Sequence, residues 1–220
     1  MPRKKKRKRT PEEIQRQNET NKWKKLQRII LANFKEGDWH LILKYRKEER
    51  PEEYARAKKQ REKFLRDVRK AFKEAGVVFK WIAITERGKK EQVLHHHMII
   101  QDIATAELNT VQLVKKFWKY GHVQFVSLYE DGEYEKLAQY IVKAETKEEK
   151  GWMSYSRSRN MVVPEAKREV KHCKKWRLEP QAPKGWYVVK ESVVNGINPF
   201  NERPYQYYTI KKLRGGPEDG

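Results

Sequence analysis

Cysteine and long apolar runs are what this 220-residue sequence has least of. Cys173 is the single cysteine, so the chain has no partner for an intrachain disulfide and no thiol cluster with zinc-finger spacing. No apolar run approaches the roughly 18 residues that a membrane-spanning helix needs, and the mean hydropathy is -1.05. No apolar segment follows the charged start MPRKKKRKRT, as a secretory signal would require. We therefore expect a cytoplasmic protein with no membrane partner.

Acidic residues are also few relative to basic ones. The chain has 30 Asp and Glu against 51 Lys and Arg, which gives a net charge of +21. Seven of these cations form one apolar-free run that predicts a disordered DNA-binding arm: Arg3, Lys4, Lys5, Lys6, Arg7, Lys8 and Arg9. The remaining +14 belongs to the body of the chain. Such a charge favours a polyanionic partner, of which nucleic acid is the commonest, although ribosomal or anionic-lipid binding would explain the same charge.

The pattern of apolar residues predicts an α+β domain. From Trp39 the order is β-α-β-β-α-β followed by a helix, which is the order of ferredoxin-like domains. The ranges are helices over 10–34, 51–76, 106–118 and 133–148, and strands over 39–45, 77–86, 93–100 and 122–128. We expect an antiparallel sheet with helices on one face. The other face stays open unless something covers it, and a site is expected there.

The domain organisation follows from shifts in composition. Residues 1–9 form the basic arm, and residues 10–150 form the core with its N-terminal helix. Residues 151–220 are interpreted as an extension of the same domain, with a polar loop at 155–160 and short strands at 185–190 and 205–210.

Three consecutive histidines in an apolar strand are the strongest chemical signal. Because strand side chains alternate, His95 and His97 share one face with Cα atoms about 7 Å apart, while His96 points toward the helices. Glu86 ends the preceding strand, and the turn at Arg87-Gly88 returns the chain alongside it. Two imidazoles and a carboxylate leave coordination positions open, and the absence of thiolates favours Mg²⁺ or Mn²⁺. The alternative is that these are structural histidines and a solvated strand end.

A tyrosine on the last core helix is the candidate nucleophile. Leu137, Tyr140 and Ile141 fall on one helical stripe, so Tyr140 is expected to point toward the sheet, with Lys143 nearby on the same helix. A tyrosine in such a stripe is commonly a core residue. Beside a metal site it would supply a nucleophile, with Lys143 stabilising charge.

These residues together resemble the HUH endonucleases. Glu86, His95-His96-His97 and Tyr140-Ile141-Val142-Lys143 stand in the order of single-tyrosine rolling-circle replication initiators of plasmids, phages and integrative elements, related to the filamentous-phage gene II replication proteins. The middle histidine departs from the usual large aliphatic residue. The resemblance implies the HUH fold, a metal held by Glu86, His95 and His97, and nicking and rejoining of an origin strand through a 5′-phosphotyrosine on Tyr140.

The resemblance also implies partners. One segment after the core resembles a segment of the same branch of initiators, namely Ser156-Arg157-Ser158-Arg159-Asn160. This resemblance makes Arg157 and Arg159 candidate DNA contacts. The substrate would be single-stranded or hairpin origin DNA in a bacterial cytoplasm. The chain has no Walker A loop, so host helicase and polymerase would act in trans. Two alternatives remain: a non-catalytic DNA-binding replication or copy-number protein, and an HUH transposase or relaxase.

Overall fold

The computed structural model describes residues 9–88, 92–105, 108–128, 134–145, 155–165, 167, 177–198 and 202–213. The chain divides into two compact units, one formed by Gln15–Glu165 and the other by Met1–Ile14 with Ala166–Gly220. In the described part of the chain, no helix has both the length and the apolar character needed to span a membrane. The placement of residues 151–220 in the same domain as the core stays a prediction.

The helices and strands follow the predicted order with shifted ends. In chain order they are α1 (Pro11–Asn33), β1 (Trp39–Leu43), a 3-10 turn (Lys47–Glu49), α2 (Tyr54–Glu74), β2 (Trp81–Arg87), β3 (Leu94–Ile100), α3 (Thr110–Phe117), β4 (Val123–Ser127), α4 (Glu135–Glu145), β5 (Ser156–Arg157), β6 (Trp186–Ile197) and β7 (Pro204–Lys212).

Local hydrogen bonds explain where two helices begin. At α1, the Glu13 amide donates to Thr10 Oγ1 at 3.2 Å, and the Thr10 amide donates to Glu13 Oε2 at 3.0 Å, which is the predicted capping box. At α3, the side chain of Asn109 accepts from the Gln112 amide at 3.0 Å. The helix predicted over 106–118 therefore begins only at Thr110.

The first unit contains a five-stranded sheet in the order β4-β1-β3-β2-β5. Every neighbouring pair is antiparallel, and β3 lies between β1 and β2, as a split β-α-β topology requires. The predicted α+β, ferredoxin-like fold class is confirmed. β5 is a difference, because the polar segment predicted as a loop contributes a two-residue strand in which Arg157 pairs with Ile82 and Ser156 with Ala83.

Helices cover both faces of this sheet. On one face α2 and α3 pack against residues such as Leu41 and Met98. On the other, α1 and α4 pack against Ile82, Ile84 and Ile99. The second face is therefore not left open as a whole, because three isoleucines side by side there favour burial under apolar helices. The candidate site lies further along the same face, at the ends of β2 and β3.

The other unit contains a hairpin of β6 and β7. Its antiparallel register runs from the pair of Trp186 and Lys212 to the pair of Ile197 and Pro204, with an irregularity between Val189 and Val194. Both strands are longer than the predicted 185–190 and 205–210.

Candidate active site

Strand pairing brings the predicted metal ligands together. Glu86 on β2 lies directly opposite His95 on β3, and His97 follows two residues later, opposite Ile84. Since directly opposed residues share a face, Glu86, His95 and His97 project on the side covered by α1 and α4. His96 projects to the opposite side, as the alternation of the sequence predicts.

The three ligand atoms are equally spaced. Nε2 of His95 and Nε2 of His97 each lie 3.1 Å from Oε1 of Glu86, and the two nitrogens lie 3.1 Å from each other. The side chains are mostly shielded from solvent, with exposed fractions of 13% for Glu86, 17% for His95 and 6% for His97. This group could hold a metal ion.

The donor spacing fits a small divalent ion. Two ligands that each lie about 2.1 Å from such an ion, at a right angle to one another, are about 3.0 Å apart. The measured 3.1 Å separations agree with that value for all three edges of the triangle. The donor set also fits, because carboxylate oxygen suits Mg²⁺ and Mn²⁺ and imidazole is a ligand for transition metals.

The charge state of Glu86 suits a metal ligand. Burial by itself raises the pKa of this carboxyl. The hydrogen bonds from His95, His97 and Tyr140 together have a larger, opposite effect, and they hold the pKa well below its usual range. Glu86 is therefore a carboxylate at neutral pH. A negative charge is held where two imidazole nitrogens converge.

Tyr140 reaches this cluster from α4. Its hydroxyl donates a hydrogen bond to Oε1 of Glu86 and lies 3.1 Å from Nε2 of His97. The side chain is 41% exposed, so the phenol lies between the buried cluster and solvent. Burial raises the pKa of Tyr140, and the hydrogen bond and charge of Glu86 raise it further. The phenol is fully protonated at neutral pH.

Four of the remaining predicted site residues belong to the described part of the chain. Lys143 is exposed on α4, one turn after Tyr140. Arg157 is half-buried in β5, and Arg159 is exposed just after it. Of the basic arm, Arg9 is described and exposed, while the residues at 3–8 lie outside the described part of the chain.

His40 is a site residue that sequence reasoning missed. Its Nε2 lies 3.0 Å from Nδ1 of His97, and the two rings are stacked with centroids 5.2 Å apart. Burial, reinforced by the neighbouring His97, lowers the pKa of His40 to about 4, so its ring is neutral at neutral pH. The alternation of side chains along β1 was the available signal in the sequence, since it places His40 and Leu41 on opposite faces of the sheet.

A second missed group lies beneath β3, on the α2 side. Arg61 donates from Nη1 to Oγ1 of Thr85 at 2.7 Å, Oγ1 lies 2.7 Å from Nδ1 of His96, and Nε2 of His96 lies 2.8 Å from the hydroxyl of Tyr45. A guanidinium only donates, so the Thr85 hydroxyl accepts from it and donates its own proton to His96. His96 then donates from Nε2 to Tyr45.

This network holds His96 neutral and fixed. The ring is fully buried, and burial first, then the charge of Arg61, lowers its pKa well below the ordinary value. Thr85 and His96 are directly opposed in the sheet, next to the opposed pair of Glu86 and His95. The buried network therefore supports the register on which the metal ligands depend.

Comparison with known families gives one match. The sequence model described as replication-associated protein ORF2/G2P matches residues 38–148, which is half of the chain and includes Glu86, the three histidines and Tyr140. Neither the curated proteins nor the solved structures contain a match to this chain.

Proposed function

This chain belongs to the family of replication-associated proteins ORF2/G2P, and from that premise we propose that it is an HUH-type, single-tyrosine endonuclease that initiates rolling-circle replication. The observation that carries this proposal is the position of the Tyr140 hydroxyl, which contacts both Glu86 and His97. A core tyrosine would not need to place its hydroxyl against two of the three candidate ligand atoms. The substrate is single-stranded or hairpin origin DNA.

The metal site would be formed by Glu86, His95 and His97, with Mg²⁺ or Mn²⁺ as the ion. When bound, such an ion supplies a Lewis acid that polarises the scissile phosphate. His40 holds the His97 ring through the nitrogen that faces away from the cluster, and the pairing of Thr85 with His96 holds β2 and β3 in register.

Tyr140 would act as the nucleophile. Its oxygen forms a bond to phosphorus while the bond from phosphorus to the 3′-oxygen breaks, which leaves a 5′-phosphotyrosine and a free 3′-hydroxyl. The phenol loses a proton and the departing 3′-oxygen gains one, so protons balance. Because the charge of Glu86 is one cause of the raised pKa of Tyr140, anything that offsets this charge makes the phenol easier to deprotonate.

Lys143 would balance negative charge on the reacting phosphate. Its position one turn from Tyr140 places both residues on the same helix. Charge stabilisation of this kind acts on the transition state more than on the bound substrate. Lys143 is therefore expected to affect the rate of cleavage more than the affinity for DNA.

Rejoining follows from the same chemistry in reverse. A phosphotyrosine ester conserves the energy of the broken phosphodiester bond, so a 3′-hydroxyl can attack it and release Tyr140 without ATP. Between the two steps, a polymerase of the bacterial host would extend the free 3′-hydroxyl. Strand separation would come from a separate helicase in the cytoplasm, since the sequence has no Walker A loop.

A covalent adduct is the decisive test. Purified protein would be incubated with a single strand carrying the origin and with Mn²⁺, and the products separated on a denaturing gel. The proposal requires a protein band shifted by attached DNA, together with a shorter strand that ends in a 3′-hydroxyl. DNA binding without any adduct would instead support the non-catalytic replication protein.

A further inference from the structure

A cavity of about 850 Å³ lies at the edge of the sheet, away from the Tyr140 cluster. It is formed where the end of α2, the connection into β2 and the segment after β5 meet, and it is called the α2–β5 cavity here. The residues that line it are Arg69, Lys73, Gly76, Val77, Val78, Phe79, Trp81, Arg157, Ser158, Arg159 and Asn160. This volume is in the range of small-molecule and cofactor sites.

The lining of the cavity carries positive charge and no negative charge. Four cations line it, namely Arg69, Lys73, Arg157 and Arg159, and none of the lining residues is acidic. In the part of the chain that the structure describes, none of the four forms an ion pair with a carboxylate. Four cations that line one concave surface attract an anion.

The floor of the cavity is apolar. This floor comprises Val77, Val78, Phe79 and Trp81, of which Phe79 and Trp81 are buried and Val78 is 59% exposed. The exposed valine offers contact area to a flat, apolar surface such as the face of a nucleobase. Phosphate alone would not require such a floor.

Hydrogen bonds hold the two walls in place. The Ser158 amide donates to the Trp81 carbonyl at 3.0 Å, the Trp81 amide donates to Ser158 Oγ at 3.3 Å, and Asn160 Nδ2 donates to the Phe79 carbonyl at 3.1 Å. The segment that carries Arg157 and Arg159 is therefore fixed to β2. A preformed site loses less entropy when a ligand binds.

The cavity continues along α2 and lies on the strand that leads to the metal ligands. A second cavity of about 430 Å³ shares Arg69 and Trp81 and is lined by the cations Lys58, Arg61 and Arg66 and by the acidic Glu62, which pairs with Lys58. Arg157 is directly opposite Ile82, so it projects on the same side of the sheet as Glu86, four residues further along β2, whereas Arg69 and Lys73 belong to α2 on the other side. Four residues of strand span about 13 Å, a distance that a few nucleotides cross.

We propose that the α2–β5 cavity binds an unpaired nucleotide of the origin strand, with phosphates on Arg69, Lys73, Arg157 and Arg159 and a base against Val78. A base-paired duplex keeps the faces of its bases stacked against one another, so they are not available to the apolar floor. The inference rests on the proposed function, because it assigns the cavity to the DNA that Tyr140 would cleave. It extends that function by giving the strand a second contact, away from the metal ligands.

Matched pairs on one helix test the role of charge. Arg69→Gln with Lys73→Gln removes two cations from the cavity, while Lys59→Gln with Lys63→Gln removes two exposed cations of α2 that do not line it. Binding of a fluorescent dT20 strand would be measured by anisotropy across a salt series in EDTA. The cavity pair should flatten the slope of log K against log salt by about 1.4 and weaken binding about tenfold or more at 0.1 M salt, whereas the α2 control pair should leave the slope unchanged. Equal effects of the two pairs would overturn the proposal.

The floor needs its own probe. A strand of 20 abasic nucleotides carries the phosphates of dT20 without bases, so the ratio of the two affinities measures base contact. Val78→Ser should reduce the preference for dT20 over the abasic strand about threefold to tenfold, because apolar area buried against a base is lost, while leaving the abasic affinity unchanged. An unchanged ratio, or equal weakening of a 20-base-pair duplex by the Arg69 and Lys73 substitutions, would overturn the assignment to an unpaired nucleotide.

These measurements are independent of cleavage. If wild-type protein forms the covalent adduct but the cavity pair binds DNA like the control pair, only the proposed role of the cavity is refuted. If the cavity pair shows the flattened slope but wild-type protein forms no adduct, the nickase proposal is refuted and the cavity remains a DNA contact.

Discussion

Nε2 of His40 lies 3.0 Å from Nδ1 of His97, although 57 residues separate them in the chain. This contact occupies the ring nitrogen of His97 that faces away from Glu86. A histidine whose second nitrogen is held by a partner keeps one ring orientation and one tautomer, which favours metal binding at the other nitrogen. His40 is therefore placed to orient His97 in the candidate metal site.

His40→Leu should weaken the metal site without unfolding the protein. Loss of the hydrogen bond frees the His97 ring, so the Mn²⁺ concentration for half-maximal nicking should rise about 10–100-fold. His40→Gln should recover part of the loss, because its side-chain oxygen can accept from Nδ1 of His97. Ile42→Val, a conservative change at the residue directly opposite His97 on β1, is the control for packing beside the His97 ring. An unchanged Mn²⁺ dependence in His40→Leu would show that the contact is only structural.

Tyr140→Phe should abolish the covalent adduct and leave DNA affinity nearly unchanged, because only the attacking oxygen is removed. Adduct formation on a denaturing gel and anisotropy binding measure the two properties separately. Tyr134→Phe is the matched control, since Tyr134 is a buried tyrosine just before the same helix. If Tyr140→Phe still formed the adduct and Tyr134→Phe did not, the nucleophile would be Tyr134.

The three neighbouring histidines should separate into two kinds. His95→Ala and His97→Ala should each remove metal-dependent nicking, because each deletes a nitrogen of the triangle with Glu86. His96→Leu should retain nicking but reduce the free energy of unfolding by about 2–4 kcal/mol, since Thr85 and Tyr45 lose a buried partner. Nicking assays and urea titrations distinguish these effects. A His95→Ala variant with full activity would exclude this residue as a metal ligand.

The buried state of His96 predicts acid sensitivity. Burial lowers its pKa in the folded protein, so below about pH 6.5 the unfolded chain takes up a proton that the native ring does not. The free energy of unfolding should therefore be highest above pH 6.5 and fall with decreasing pH, by up to about 1.4 kcal/mol per pH unit for this group. Urea unfolding in EDTA at pH 7 and pH 5 measures the fall. His96→Leu should be less stable at pH 7 but should lose less between the two values, and an equal loss would assign the acid sensitivity to other groups.

The basic arm should contribute affinity and no chemistry. If about four to six of its seven cations meet phosphates of a single strand, deletion of residues 2–9 should flatten the slope of log K against log salt by about 3–4. Origin preference and the cleavage rate of bound complexes should persist, because the proposed reaction centre belongs to the folded unit. A slope that the deletion does not change would mean that the arm serves targeting or a protein partner.

The side-chain alternation of β3 could be predicted from the sequence alone. A strand repeats every two residues whatever surrounds it, so the separation of His95 and His97 from His96 is a local property. The capping box of Thr10 and Glu13 is local in the same sense, as is the helical stripe that includes Tyr140. These regularities were sufficient to predict the order of elements and the ferredoxin-like fold class.

Only the tertiary structure decided which distant residues meet. The contact of His40 with His97 depends on β1 pairing beside β3, and the chain from Arg61 through Thr85 to His96 depends on how α2 packs. The pairing of the two-residue strand at Arg157 with β2 also depends on tertiary structure, as does the packing of α1 and α4 on the second face of the sheet. Such contacts arise because buried polar groups need partners and apolar faces need cover, and these partners come from segments that the periodicity of one strand or helix cannot identify.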